Sequence, residues 1–125
     1  MASITTSIQS TFEKSLVSEM INKIFDNLNH EERVKVTPWI SQIEEHAMQL
    51  LDNLKPRDTR RRKSDVLVTA AIYDAFLEYE SRTNTRVRLP FLGESLGLQM
   101  CSINSTWKRL FDIRTKLLTE LLDTI

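Results

Sequence analysis

Residues 89–110, LPFLGESLGLQMCSINSTWKRL, carry side chains suited to reading a nucleic acid. Gln99, Ser102, Asn104 and Ser105 can meet base edges or phosphates, and Lys108 and Arg109 suit phosphates. Their spacing has the form of a helix-turn-helix. Leu92 and Leu96 are apolar on a short first helix, Gly93 is small where two helices would cross, and Gly97 begins the turn. Leu98 plugs that turn and Ile103 anchors the second helix. One position departs from the pattern: Thr106 stands where an aliphatic residue is usual, and Trp107 is expected to take over its packing. A short helix and a long helix packed at an angle without DNA would have the same spacing.

The strongest charge feature is Arg60-Arg61-Arg62-Lys63, which leads into an apolar segment. Basic residues at a helix N-terminus oppose its dipole slightly, so a purely structural role is unattractive and contact with phosphate or an acidic partner is expected. Arg86 and Arg88 add a second basic stretch just before the short helix.

Other chemistries find little support. The carboxylates fall mainly on polar helix faces and no nucleophile–base pair is legible, so no enzyme and no catalytic residues are expected. Cys101, near a helix N-terminus, could be nominated as a nucleophile, but no histidine is near it in sequence. One cysteine excludes an internal disulfide and a cysteine-based zinc site. His30 and His46 are too few for a metal site, so no metal or cofactor is expected, and His46 reads as a solvent-facing side chain.

The elements that must position these residues follow from composition. A chain of 125 residues is long enough for one core, and residues 1–125 read as a single domain. With 41% hydrophobic and 27% charged residues it has the balance of a soluble globular protein. Two glycines and three prolines leave little material for turns, so few, long elements are expected. Strand-like alternation is absent. The opening MASITTSIQS has neither a basic nor an apolar signal region, and no apolar run approaches the ~20 residues of a membrane span. An intracellular, soluble protein of cytoplasm or nucleoid/nucleus, without membrane contact, is expected. Charge sums to zero but unevenly: residues 1–56 hold five bases and eight acids, residues 57–116 twelve bases and seven acids. That basic second half can face an anion or be complemented by the acidic first half.

The first helix is predicted from about Ile4 to Leu28, its core band made by Ile8, Phe12, Leu16, Met20 and Ile24 with Val17, Ile21, Phe25 and Leu28. A polar connection then runs to Val36. Thr37-Pro38 reads as the N-cap and first position of a second helix that ends at Pro56. The central helix, Ser64 to Tyr79, is apolar on more than one face, and Ala70-Ala71 lets neighbouring backbones approach. A polar loop, Glu80–Arg88, precedes a short helix over Pro90–Leu96, with Gly97 in a left-handed conformation. Ser102 is expected to cap the last helix, whose core side carries Ile103, Trp107, Leu110, Phe111, Leu117, Leu118, Leu121 and Leu122.

The run from Arg60 to Leu110 resembles the cyclin-box repeat of the general transcription factor B family. The likeness rests on Ala70-Ala71-Ile72-Tyr73 in the central helix, the Gly97-Leu98 turn, and the pattern from Ile103 through Trp107, Lys108 and Arg109 to Leu110. The resemblance implies an all-α, five-helix cyclin-like bundle around a central third helix, with a helix-turn-helix-like C-terminal pair. Family members bind the TATA-binding protein and DNA, and use that pair to read promoter bases. They carry two repeats behind a zinc ribbon; this chain has one repeat and a single cysteine, so it is not a full initiation factor. Where the family usually has Pro-Arg-Thr, the chain has Arg86-Val87-Arg88-Leu89-Pro90. The expected function is a transcription-associated DNA-binding module using Arg60, Arg61, Arg62, Lys63, Arg86, Arg88, Lys108 and Arg109 on phosphates, and Gln99, Ser102, Asn104 and Ser105 on bases. A transcription protein is a possible further partner. The alternative is a non-enzymatic adaptor whose groove beside the central helix holds a peptide, a helix or a second copy.

Overall fold

The computed structural model describes residues 14–54 and 63–124, and these are helical with no strand among them. The helices are α1 (Lys14–Asn27), α2 (His30–Val36), α3 (Ile40–Asp52), α4 (Ser64–Glu78), α5 (Glu80–Thr83), α6 (Leu89–Leu96) and α7 (Met100–Thr124), with a 3-10 turn over Thr37–Trp39. Expectations for residues 4–13, for Pro56 and for Arg60, Arg61 and Arg62 lie outside the described residues.

The central helix is surrounded, as its composition requires. Leu67, Val68, Thr69, Ala70, Ala71, Ile72, Asp74, Ala75 and Phe76 are all buried, so α4 has almost no wet face. It packs most extensively against α3 and α7, and also against α1 and α6. Ala70 and Ala71 are fully buried where those neighbours converge. In α1 the buried residues are Val17, Met20, Ile21 and Ile24, spaced three and four apart, with Leu16 and Phe25 at the margin. Among the described residues no helix is long and apolar enough to cross a membrane.

Several boundaries differ from expectation for local reasons. The polar stretch after Asn29 is helix α2, started by a capping box: the Asn29 side chain accepts from the Glu32 amide, and the Glu32 carboxylate accepts from the Asn29 amide. Thr37 is therefore not an N-cap. It ends α2 with helical dihedrals, and its hydroxyl donates to the Arg33 carbonyl at 2.6 Å. Arg33 donates back to the carbonyls of Phe25 and Asp26, satisfying the end of α1. The expected loop after Glu78 contains α5, and Asn84 reverses the chain with φ of 49°. α4 starts from Lys63, with the Asp65 carboxylate accepting the Val66 amide at 2.8 Å.

Two corrections concern side chains. Leu117, Leu118, Leu121 and Leu122 are exposed, as is Phe111, because the bundle ends near Arg114 and α7 runs on past it. His46 is not solvent-facing. Its Nε2 lies 2.8 Å from Oδ2 of Asp74, a carboxylate buried on α4. Trp107 Nε1 donates to Asp74 Oδ1 at 3.0 Å, and Arg114 Nη1 donates to Oδ2 at 2.6 Å. One carboxylate thus ties α3 and α7 to α4. Trp107 also meets Tyr73 edge-on at 5.5 Å, so it does not fill the place of Thr106, which is itself buried.

Burial works against the charged form of Asp74, but hydrogen bonds from His46 and Trp107 and the charge of Arg114 outweigh it. The carboxyl is held below its ordinary 3.8. A depressed pKa makes the cluster's contribution complete above that ordinary value, and lost as pH falls through the lower folded-state pKa. Urea unfolding should show Asp74→Ala losing about 3 kcal/mol at pH 7, since it strands three donors. Asp74→Asn should remove the wild type's additional loss of stability below about pH 4.

Candidate nucleic-acid interface

The α6–α7 pair is built around two glycines. Pro90 sits in the first turn of α6, where its missing amide hydrogen costs nothing. Gly97 ends the helix with φ of 68°, a conformation that favours a residue without Cβ. The Leu98 amide then donates to the Gly93 carbonyl at 3.0 Å, folding the turn back onto α6. A Cβ at Gly93 would lie 2.8 Å from the Leu98 carbonyl oxygen, so only glycine permits this approach. Leu98 packs against the core, and Leu92 and Ile103 are fully buried beneath the pair. The expected roles of Leu92, Gly93, Gly97, Leu98 and Ile103 match these positions.

α7 begins at Met100, two residues before the expected cap. The Gln99 carbonyl accepts from the amides of Ser102 and Ile103, so Ser102 lies within the first turn and does not cap it. Ser105 and Lys108 nevertheless lie on the exposed side of α7, with Cys101, and Arg109 is also exposed. Ser102 and Asn104 are half-buried.

A groove of about 430 Å³ runs between the start of α4 and this turn, and Lys63, Gln99, Ser102 and Ser105 line it together with Asp65 and Thr106. Four expected contact residues therefore share one surface, with Lys63 distant in sequence from the other three. Lys63 also sets where the preceding basic run must join the described structure. Among the described residues Asp65 is the one carboxylate lining the groove; its Oδ1 accepts a hydrogen bond from the Val66 amide.

Arg86 and Arg88 are not in that groove. They precede α6, at the end opposite the turn, on the order of 12 Å away along eight residues of helix. Both are exposed, and Arg86 Nε donates to Glu80 Oε1 at 3.0 Å. That hydrogen bond raises the Arg86 pKa above its ordinary value. Arg82 stacks over Tyr79 and Trp39, at 5.0 and 5.7 Å from the ring centres. Of the described basic residues flanking α4, Lys63 thus lies beside the turn, while Arg86 and Arg88 lie beyond the start of α6.

No group of three or more potential metal ligands occurs among the described residues, and Cys101 is exposed with its Sγ near Gln99 Oε1. Sequence reasoning missed the Asp74 cluster. An aspartate flanked by apolar residues in a helix buried on all sides is the signal for it, because buried carboxylates are paired. No family model, curated protein or solved structure matches the chain.

Gly93→Ala should destabilise the pair by about 1–3 kcal/mol through this backbone clash. Gly97→Ala meets open space and should lose only about 1–2 kcal/mol, from its left-handed backbone. Equilibrium unfolding of the two variants measures the difference.

Proposed function

We propose that the chain is a DNA-binding module in which α7 presents its N-terminal half to a groove of the duplex, supported by α6. The observation that carries this reading is the shared surface of Lys63, Gln99, Ser102 and Ser105, held by a turn that tolerates no side chain at Gly93. In this reading Lys63, Lys108 and Arg109 meet phosphates, with Arg60, Arg61 and Arg62 continuing the contact from the preceding segment. Gln99, Ser102, Asn104 and Ser105 meet base edges or nearby phosphates, while Arg86 and Arg88 reach the backbone on the far side of α6. The longer helices α1, α3, α4, α6 and α7 take the five places of a cyclin repeat like those of the transcription factor B family, with α2 and α5 as additions. Association with a transcription protein belongs to the same proposal, and no chemical step is assigned.

Electrophoretic mobility shift across a salt series, with random duplex as competitor, tests it. With all eight of these basic residues on phosphates, the slope of log affinity against log salt should be about −7. Lys108→Glu should weaken all duplexes alike and lower the slope by about 1. Asn104→Ala should instead relax preference among sequences, by about 1–3 kcal/mol at one base pair. Binding indifferent to salt, or unchanged when residues 60–63 are reversed in charge, would contradict the assignment.

A further inference from the structure

α3 and α7 both pack on α4, and a cleft of about 200 Å³ lies between them. Leu50 and Leu54 wall it on the α3 side, and Leu110, Ile113 and Leu117 on the α7 side. His46, Gln49, Asn53 and Arg114 complete the lining, which covers about two turns along each flank. An apolar recess with a few polar groups at its margin has the make-up of a small-molecule site. Its volume is below the roughly 300–1,000 Å³ of sites for drug-sized ligands, so its occupant is smaller.

Charge limits what can enter. Among the described residues that line the cleft, only Arg114 and His46 can carry charge, and both are bonded to Oδ2 of Asp74. The Asp74 carboxylate already offsets Arg114, and the remaining walls are aliphatic or amide. An ion of either sign would therefore leave water without an unmatched opposite charge to receive it, which is costly beside apolar walls. Hydrogen bonding sets the polar end. The Gln49 and Asn53 amides, one turn apart, each donate and accept, and the Arg114 guanidinium has further N–H groups beyond the one on Asp74. A hydroxyl both donates and accepts, so it can meet any of the three.

We propose that this cleft binds a small uncharged amphiphile, an apolar body ending in a hydroxyl group. The body lies between the leucines of the two flanks, and the hydroxyl meets Gln49, Asn53 or Arg114. Bound there, the ligand bridges α3 and α7 beside the Asp74 cluster. The site is distinct from the groove at Lys63 and does not rest on the DNA reading.

Methyl NMR of the full chain, titrated with hexanol, is the test. Saturable shifts should appear at Leu50, Leu54, Leu110, Ile113 and Leu117. Leu118, Leu121 and Leu122, which are 56%, 62% and 71% exposed, should stay unmoved and so serve as the control for adsorption to any apolar surface. Hexanoate and hexylammonium, with the same body and a charge of either sign, should show dissociation constants at least tenfold higher. Leu117→Trp should fill the cleft and raise the hexanol dissociation constant at least tenfold with the circular dichroism unchanged, because Leu117 is 37% exposed. Ile113→Trp is a second blocking variant, and the comparison of the three probes on the unaltered chain stands whether or not either variant folds. Shifts as large at the three exposed leucines, an ionic probe that binds as tightly as hexanol, or hexanol binding undisturbed in a folded blocking variant would each overturn the proposal.

Discussion

A carboxylate with almost no access to water must be paired, and the pairing of Asp74 sets how this bundle goes together. Its three donors come from two other helices: His46 from α3, Trp107 and Arg114 from α7. Apolar packing around α4 is non-directional and would tolerate small rotations of its neighbours. Three hydrogen bonds to two oxygens tolerate much less, so the cluster fixes the rotation and height of α3 and α7 against the central helix. Among the described residues no buried side-chain polar atom lacks a hydrogen-bond partner, so the specificity of this network carries no stranded group.

The α6–α7 turn is constrained in another way. Its geometry comes from what is missing, a Cβ at Gly93 and the steric objection to positive φ at Gly97. Since Trp107 and Arg114 anchor α7 further along, the turn need only direct the first two helical turns. The surface beside Lys63 is therefore rigidly backed: α4 is clamped by Asp74 on one side of it and α6 is held by the Gly93 contact on the other. A polar surface over such a scaffold has its hydrogen-bonding groups held in place.

The same helix that presents this surface also leaves the bundle. Past Arg114, every residue of α7 through Asp123 is exposed, yet its leucines keep the helical periodicity of a buried face. A polar surface at one end and an apolar one at the other thus lie on a single helix, about 37 Å long by its 25 residues.

Much of this was legible in the residues themselves. Periodicity placed the long helices, because a core-facing face must repeat at helical spacing wherever the helix is buried. Pro90, Gly93 and Gly97 marked the short helix and its turn, because each has a steric meaning independent of context. Asn29 and Glu32 also spell a capping box, but in a mostly polar stretch that start signal reads as a connection. Periodicity cannot tell a leucine buried by its own bundle from one left exposed, which is why Leu117, Leu118, Leu121 and Leu122 read as core from sequence. Tertiary structure alone decided that Asp74 gathers His46, Trp107 and Arg114, that Lys63 shares a groove with Gln99, Ser102 and Ser105, and that Arg86 and Arg88 stand apart from it. The reason is physical: local sequence governs backbone dihedrals and the side of a helix a residue occupies, whereas meetings between residues 28 to 42 positions apart depend on how whole helices pack.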